Sequence, residues 1–334
     1  MSRRVAARAH SMLEAMSASF AIAVDIGGTK VEAALVDENG AVLAGSRHRA
    51  PTGPERSAEE LAASVRSALG GVLALIGPDA AVSPERIAGV GIGAAGPVNL
   101  VDSRVSPLNM PVWDDYPLSA LVADTVHAVV PGVPVTLRLD GLCITLAEHW
   151  VGAASGHDNV MGMIVSTGVG GGLILGGRTV PGPTGNAGHI GHVEIGGHED
   201  ACPCGGSGCL EAVASGPRTV AWANAEGWIG GTGEELAAAV AAGDPIALRA
   251  VARSGRAIGR AIASAASLVD LDIVAIGGGF SHVSPLLFEH ARAAVAERAT
   301  FGYVTRVQVV PSALSGEGPL IGAAALIHRA EMVD

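Results

Sequence analysis

Near the start of the chain, the run DIGGTK places Asp25, Gly27, Gly28, Thr29 and Lys30 next to one another. An apolar run stands on either side, which predicts a tight turn between two antiparallel strands. Glycine backbone, a hydroxyl and an ammonium suit phosphate oxygens, and a carboxylate at the strand end can hold Mg²⁺ directly or through water. Lys30 is the only lysine among the 21 Lys and Arg residues. Its place in this turn favours a phosphate site; an ordinary Gly-Gly hairpin is the alternative.

Residues 162–175 repeat this pattern, with the glycine-rich turn STGVGGG at 166–172 between two apolar runs. Thr167 and Gly168 of this second turn are further candidate phosphate-binding residues. Repetition of the unit predicts a duplicated architecture, in which two domains of one fold each offer a phosphate-facing hairpin to a shared cleft.

Two further predicted strands end in candidate site residues. The strand at 133–139 leads to Asp140, whose carboxylate could accept the proton of an attacking hydroxyl. Capping of the following helix is the alternative role for Asp140. The strand at 272–276 ends at Gly277 and Gly278, where the backbone could approach a ligand closely.

Three of the four cysteines, Cys202, Cys204 and Cys209, fall within eight residues in the order C-x-C-x4-C. In a reducing cytoplasm such clustering indicates a metal site rather than a disulfide. Zn²⁺ takes four tetrahedral nitrogen or sulfur ligands, so a histidine is needed, and His192 and His198 are the nearest candidates. Free thiols or a redox pair are the alternatives.

The length of 334 residues favours two domains. The formal net charge of -11 and the pI near 5.4 argue against a surface for nucleic acid or anionic membrane. The longest uncharged stretch, 160–177, is rich in glycine, so it favours strand–turn–strand over a membrane-spanning helix. We therefore expect a cytoplasmic protein.

Strands and helices alternate along the chain, so the predicted fold class is α/β. We expect a flexible N-terminal extension at 1–19, a small α/β domain at 20–135 and a larger one at 136–318 that carries a metal loop at 192–209. A C-terminal helix at about 319–334 would complete the small domain. Locally, the sequence predicts a capping box that starts a helix at Ser57 and a strand over 303–310.

In this order, the motifs resemble those of the ROK family of sugar kinases and repressors, which belongs to the actin-like ATPase superfamily with its duplicated ribonuclease H-like fold. DIGGTK at 25–30 and STGVGGG at 166–172 match the two phosphate motifs. Gly277 and Gly278 match the adenosine-side turn, and residues 202–211 match C-x-C-G-x-x-G-C-x-E without a gap.

The resemblance implies an ATP-dependent kinase that phosphorylates the 6-hydroxyl of a hexose, with Mg²⁺ beside ATP, structural Zn²⁺ and a homodimer. Asp140 falls at the position of the catalytic base, and His192 both ligates zinc and faces the sugar. The other implied sugar contacts are Gly96, Asn109, His189 and Glu211.

Two departures from the family pattern lie on the expected sugar side. Leu139 replaces an asparagine, and His189 replaces a glutamate. A buried hydroxyl that loses its acceptor costs about 1–3 kcal/mol, so the sugar stays open among glucose, N-acetylmannosamine, an amino sugar and a cyclitol.

Two alternatives within the family are a transcriptional repressor and a catalytically inactive sugar sensor. Family repressors carry a winged-helix segment ahead of the first phosphate motif, whereas 24 residues precede Asp25 here. The departures at Leu139 and His189 motivate the sensor, while the complete phosphate turn and Asp140 favour the kinase.

Overall fold

Two five-stranded sheets with the same strand order organise the chain. A computed structural model describes residues 19–297, 300–314 and 316–333, so the predicted extension lies outside the described residues apart from Ser19. The first sheet has the order β3-β2-β1-β4-β7. Its strands are β1 (Phe20–Ile26), β2 (Lys30–Asp37), β3 (His48–Pro51), β4 (Ile87–Ala94) and β7 (Val135–Leu139).

The second sheet repeats the first, with the order β10-β9-β8-β11-β12. Its strands are β8 (Val160–Val165), β9 (Val169–Leu175), β10 (Arg178–Thr179), β11 (Ile273–Gly277) and β12 (Gln308–Pro311). In each sheet three antiparallel strands are followed by two parallel ones. The predicted α/β class and the duplication are confirmed. A separate small hairpin joins β5 (Val98–Asn99) and β6 (Arg104–Val105).

Helices cover the faces of both sheets. Those that flank the first sheet or connect the two are α1 (Ala58–Leu73), α2 (Leu118–His127), α3 (Asp140–Val151) and α10 (Gly318–His328). Those around the second sheet are α4 (Leu210–Ala214), α5 (Gly216–Ala225), α6 (Gly233–Ala241), α7 (Pro245–Val269), α8 (Leu286–Ala296) and α9 (Gly302–Thr305). The capping box at Ser57 is confirmed, since its hydroxyl accepts from the backbone N–H of Glu60.

The strand predicted over 303–310 is wrong in its first half. Residues Gly302–Thr305 form the short helix α9, which packs against α7 and α8, and β12 begins only at Gln308. Val304 is fully buried there. Burial of this one side chain is compatible with a helical turn as well as with a strand, so the apolar pattern could not distinguish them.

The last helix, α10, packs on the first sheet although it comes from the far end of the chain. Leu320, Ala323 and Ala324 form a buried cluster with small residues of β1 and β2, among them Ala21 and Ala34. This contact agrees with a C-terminal helix that completes the first domain, while the domain boundaries themselves stay a prediction. None of the helices within the described ranges combines the length and the hydrophobicity needed to cross a membrane.

Candidate active site

Both glycine hairpins open onto one cavity of about 620 Å³ between the two sheets. The cavity is lined by every residue predicted to contact nucleotide or sugar: Asp25, Gly27, Gly28, Thr29, Lys30, Gly96, Asn109, Asp140, Thr167, Gly168, His189, His192, Glu211, Gly277 and Gly278. The structure therefore brings together residues that are up to 253 positions apart, from Asp25 to Gly278. Leu139, by contrast, is buried in the core of the first sheet and is not among the residues that line the cavity.

The first hairpin turn is held by a hydrogen bond within it and by Thr52, the residue that follows β3. The N–H of Gly27 donates to the carbonyl of Lys30 at 3.0 Å, and the Thr52 hydroxyl donates to the carbonyl of Gly27 at 2.6 Å. Asn109 lies directly over Gly28, so that a Cβ at this position would collide with its side-chain amide. Glycine therefore leaves room at this turn for the side chain of Asn109.

A buried carboxylate on β2, Glu32, organises the positive charge beside this turn. Its side chain is 2% exposed and accepts hydrogen bonds from Lys30, from Arg47 at 3.0 Å and from Arg49 at 3.0 Å. Burial alone would raise the pKa of Glu32, but these three donors lower it to about 2. Arg47 also donates to the carbonyl of Gly316 at 2.9 Å, so the cluster ties the first hairpin to the segment before α10.

Asp25, the last residue but one of β1, has no hydrogen-bond or ion-pair partner among the described residues. Burial, followed by the negative charges of Asp140 and Glu32, raises its pKa to about 7, which outweighs the opposing effect of Lys30 and Arg47. A divalent cation would favour the ionised form of such a carboxyl. The residue therefore fits the Mg²⁺ that the sequence predicts.

Asp140 is the first residue of α3 and lies between the two hairpins. One carboxylate oxygen accepts the N–H of Gly141 at 2.7 Å, so the capping role considered from sequence is present in part. Burial raises the pKa of Asp140 to about 6, although the Gly141 N–H opposes the shift and the charge of Glu211 adds to it. At neutral pH the group is ionised and is a stronger base than an ordinary aspartate.

A carboxylate, and not a lysine or arginine side chain, lies beside the second hairpin. Glu211, the second residue of α4, accepts the N–H of Val169 at 2.9 Å through Oε2. A Cβ at Gly168 would come within 2.6 Å of that same oxygen, so glycine permits this close approach. The other oxygen of Glu211 has no hydrogen-bond partner among the described residues, and the residue lines the cavity.

His192 and the three clustered cysteines form a group whose geometry fits zinc. Their ligand atoms all lie within 4.8 Å of one another. The separation is 3.6 Å between Cys202 Sγ and His192 Nδ1, and 3.7 Å between Cys204 Sγ and Cys209 Sγ. A tetrahedral zinc with bonds of about 2.0–2.3 Å puts its ligand atoms about 3.6–3.8 Å apart. Of the two candidate histidines, His192 is therefore the better ligand. His198 instead faces Asp200 at 3.9 Å.

The opposite end of the cavity is built from β11 and the loop after β12. Gly278 has a φ of 94°, and a Cβ there would collide with the backbone of Val165 at 2.6 Å, so the turn requires glycine. Ser312 lies beside Gly277 and donates through its hydroxyl to Glu148, a carboxylate of α3 that is 1% exposed. The helix that begins at Asp140 is thus tied to this wall.

Sequence reasoning missed several residues of the site. Glu32, Arg47 and Arg49 were not predicted, and neither were Ser312 and His282, which line the far end of the cavity. A charged residue inside the apolar run of β2 was a usable signal for Glu32, because a buried carboxylate needs partners.

Two matching sheets with a cavity between them, onto which a glycine-rich hairpin of each sheet opens, define the actin-like ATPase fold. The sequence matches the ROK family over residues 21–330, and the chain belongs to this family. It is 31% identical over 330 residues to a glucokinase of Streptomyces coelicolor, covering 93% of this chain and 98% of that protein. It is 32% identical over 309 residues to an N-acetylmannosamine kinase of Yersinia pseudotuberculosis, covering 91% and 96%.

Solved structures give the same assignment. A ROK family glucokinase from Streptomyces griseus, in complex with glucose and AMPPNP, is 32% identical with a TM-score of 0.76, covering 93% of this chain and all of that one. A ROK family transcriptional regulator, a homologue of the Escherichia coli Mlc protein, is 26% identical with a TM-score of 0.79, covering 93% and 78%. The family thus includes both kinases and regulators.

Proposed function

We propose that this protein is an ATP-dependent sugar kinase that transfers the γ-phosphoryl group of ATP to the 6-hydroxyl of a hexose or a related sugar. The observation that carries the proposal is the position of Asp140, a half-buried carboxylate with a raised pKa that shares one cavity with both glycine hairpins. A regulator that only senses sugar has no need of a base there. The glucokinase and N-acetylmannosamine kinase relatives support the same class of reaction.

In the proposed reaction the phosphate tail of ATP lies between the two turns. Thr29, Lys30 and the backbone N–H groups of the first hairpin hold phosphate oxygens, with Thr167 and Gly168 on the other side. The Gly277 and Gly278 turn accommodates the adenosine end. Asp25 would hold Mg²⁺, which would supply positive charge to stabilise the negative charge that develops on the phosphate oxygens.

The sugar occupies the side of the cavity formed by Gly96, Asn109, His189, His192 and Glu211. The free carboxylate oxygen of Glu211 and the free ring nitrogen of His192 are available to sugar hydroxyls. Asp140 accepts the proton of the 6-hydroxyl as its oxygen attacks the γ-phosphorus, and ADP leaves. Zinc held by His192 and the three cysteines would fix the orientation of the His192 ring.

His189 offers a neutral imidazole, because burial and then the neighbouring His192 lower its pKa. A neutral ring presents one donor and one acceptor, whereas the glutamate of the family pattern presents acceptors only. We therefore propose that the substrate is one of four candidates: glucose, N-acetylmannosamine, an amino sugar or a cyclitol. A homodimer is likewise proposed from the family resemblance.

The test is sugar-dependent release of ADP from ATP and Mg²⁺, measured over glucose, mannose, N-acetylmannosamine, N-acetylglucosamine, allose, aminoglucoses and cyclitols. We expect one of these to give saturable ADP release, with the product a 6-phosphate ester by phosphorus NMR. Saturable sugar binding by calorimetry without ADP release from any of them would instead support a sensor or a regulator. A phosphate ester at another hydroxyl would contradict the position proposed here.

A further inference from the structure

Four arginines lie along one face of the long helix α7. Arg249, Arg253, Arg256 and Arg260 follow one another at intervals of four, three and four residues. That spacing places side chains on one side of a helix. The whole chain has a net charge of -11, so this stripe is a local concentration of positive charge on an acidic protein.

The first three arginines of the stripe line a second cavity of about 550 Å³, separate from the cleft, which we call the arginine pocket. Its lining residues are His198, Trp222, Leu248, Arg249, Ala252, Arg253, Arg256 and His290. No carboxylate is among them. Arg249 pairs with Glu226 at 3.3 Å, whereas Arg256 and His290 have no hydrogen-bond or ion-pair partner within the described part of the chain.

Arg253 connects the arginine pocket to the metal loop. Its side chain is 12% exposed and donates to both carboxylate oxygens of Asp200 at 2.7 Å. It also donates to the carbonyl of Val213 at 2.8 Å, and its guanidinium lies 5.5 Å from the ring centre of Trp222. The backbone carbonyl of Asp200 in turn accepts the N–H of Gly208 at 2.8 Å, one residue before a proposed zinc ligand.

Through these bonds one guanidinium holds together two segments that border the proposed sugar side. Asp200 belongs to the loop that carries the zinc ligands, and Val213 belongs to α4, the helix that carries Glu211. An anion in the arginine pocket would compete with Asp200 for the charge of Arg253. The metal loop would then lose one of its attachments to α7.

We propose that the arginine pocket binds a small molecule that carries a phosphate group, and that its occupancy weakens sugar binding through Arg253. Guanidinium groups bind phosphate through paired, charge-assisted hydrogen bonds, and Arg256 is free to make them. Trp222, Leu248 and Ala252 supply apolar surface for the remainder of the ligand. A sugar phosphate and a nucleotide share this chemistry. Only the effect on sugar binding rests on the proposed kinase function.

Binding is tested by calorimetry on the full chain, with a non-hydrolysable ATP analogue present to fill the cleft. Inorganic phosphate, glucose 6-phosphate and AMP are titrated separately, and the two organic ligands distinguish the sources of the phosphate group. We expect one equivalent to bind, and Arg256→Ala to weaken the binding about tenfold or more. Arg306→Ala is the matched control, because its partner Asp270 caps the far end of α7, about 21 Å along the helix axis from Arg256.

The coupling is tested by the effect of the same ligand on sugar affinity. We expect the ligand to raise the sugar KM, or the sugar Kd if turnover is absent, in the parent protein and in Arg306→Ala but not in Arg256→Ala. Equal affinity for phosphate in the parent, Arg256→Ala and His290→Ala would overturn the site. The site would also be overturned if sulfate and chloride bound as tightly as phosphate. A change of oligomeric state in Arg256→Ala would likewise overturn it, because it would mark this face as a subunit contact. Binding that leaves sugar affinity unchanged would overturn the coupling.

Discussion

The two glycine hairpins share a backbone arrangement but differ in charge. The first pairs β1 with β2 and the second pairs β8 with β9, each next to a parallel strand in the same sheet position. Beside the first turn stand Lys30, Arg47 and Arg49, gathered by Glu32. Beside the second stands Glu211, with no lysine or arginine in the turn 166–168.

This difference shows how a duplicated fold can be given two roles. The shared backbone supplies two glycine turns that face each other across the cleft. Charged side chains then distinguish the turns: basic groups lie at the first and the carboxylate of Glu211 lies beside the second, with Asp140 between them. In the proposed reaction both turns hold phosphate oxygens, and Glu211 faces the sugar. Under this assignment, substitution of the basic groups at the first hairpin should change the affinity for ATP and leave the affinity for the sugar unchanged. Substitutions that act on the sugar side, around Glu211 and His192, should do the reverse.

The largest expected effect comes from the residue between the two hairpins. Asp140→Asn removes the proposed base while it keeps a side-chain oxygen for the Gly141 N–H, so we expect kcat to fall by about 10²–10⁴-fold with sugar affinity retained. The measurement is sugar-dependent ADP release, with sugar binding followed by calorimetry. Asp114→Asn, an exposed position, is the control. A kcat within tenfold of the parent would refute the base assignment.

The same residue predicts the pH dependence of the parent enzyme. Because the base acts in its ionised form and its pKa is raised to about 6, kcat should fall as the pH drops through about 6, by about tenfold for each further pH unit. A profile that stays flat down to pH 5 would be inconsistent with Asp140 as the titrating base.

On the basic side, Lys30→Met removes the ammonium from the first turn. A hydrogen bond to a charged group contributes about 1.5–3 kcal/mol, so we expect kcat/KM for ATP to fall by about 10–100-fold. The sugar KM should change less than twofold, because Lys30 belongs to the first hairpin whereas Glu211 lies beside the second. Arg66→Met, which removes an exposed basic side chain from α1, is the control. An equal rise in the sugar KM would contradict the assignment of ATP and sugar to different sides of the cavity.

On the sugar side of the cavity, which carries Glu211 and His192, Cys204→Ser weakens the proposed zinc site. We expect less metal per chain by elemental analysis and a sugar KM raised about tenfold or more, with the KM for ATP unchanged. Cys143→Ala changes a cysteine that lies in the core, away from the cluster, and should leave the metal content as it is. Full sugar affinity in metal-free protein would show that the metal does not support the sugar side.

The smallest effect concerns stability and distinguishes Asp25 from an ordinary strand residue. Its folded pKa, about 7, exceeds the usual 3.8, so the folded state binds the extra proton and stability is lost as the pH rises through about 7. Asp25→Asn should gain stability over the metal-free parent, by about 1–2 kcal/mol more at pH 8 than at pH 5. Urea unfolding measures this, with Asp79→Asn as the control.

The parts of the site that were visible from sequence are those encoded by short motifs. The two turns and the C-x-C-x4-C cluster each occupy fewer than ten consecutive residues, so residue type and spacing were enough to find them. The convergence of the two turns on one cavity followed from the expected duplication. The capping box at Ser57 was visible for the same reason, since its two partners are three residues apart.

The parts that were missed depend on contacts between distant segments. Arg47 and Arg49 reach Glu32 across the sheet from 15 and 17 positions away, and nothing in their own surroundings in sequence marks them. The bond from Ser312 to Glu148 joins residues 164 positions apart. Such pairs follow from the tertiary packing of β2 and α3, which local propensity does not specify.

The packing of α10 on the first sheet has a consequence for biosynthesis. Strand β2 ends at Asp37, whereas the helix whose Leu320, Ala323 and Ala324 cover the small buried residues of β1 and β2 begins only at Gly318, so it leaves the ribosome much later. Until then one face of the nascent sheet stays open to solvent, where it can aggregate or bind a chaperone. We therefore expect the proposed nucleotide site to form only after this helix has been made, and a truncated translation product that lacks the helix to be degraded rather than to accumulate.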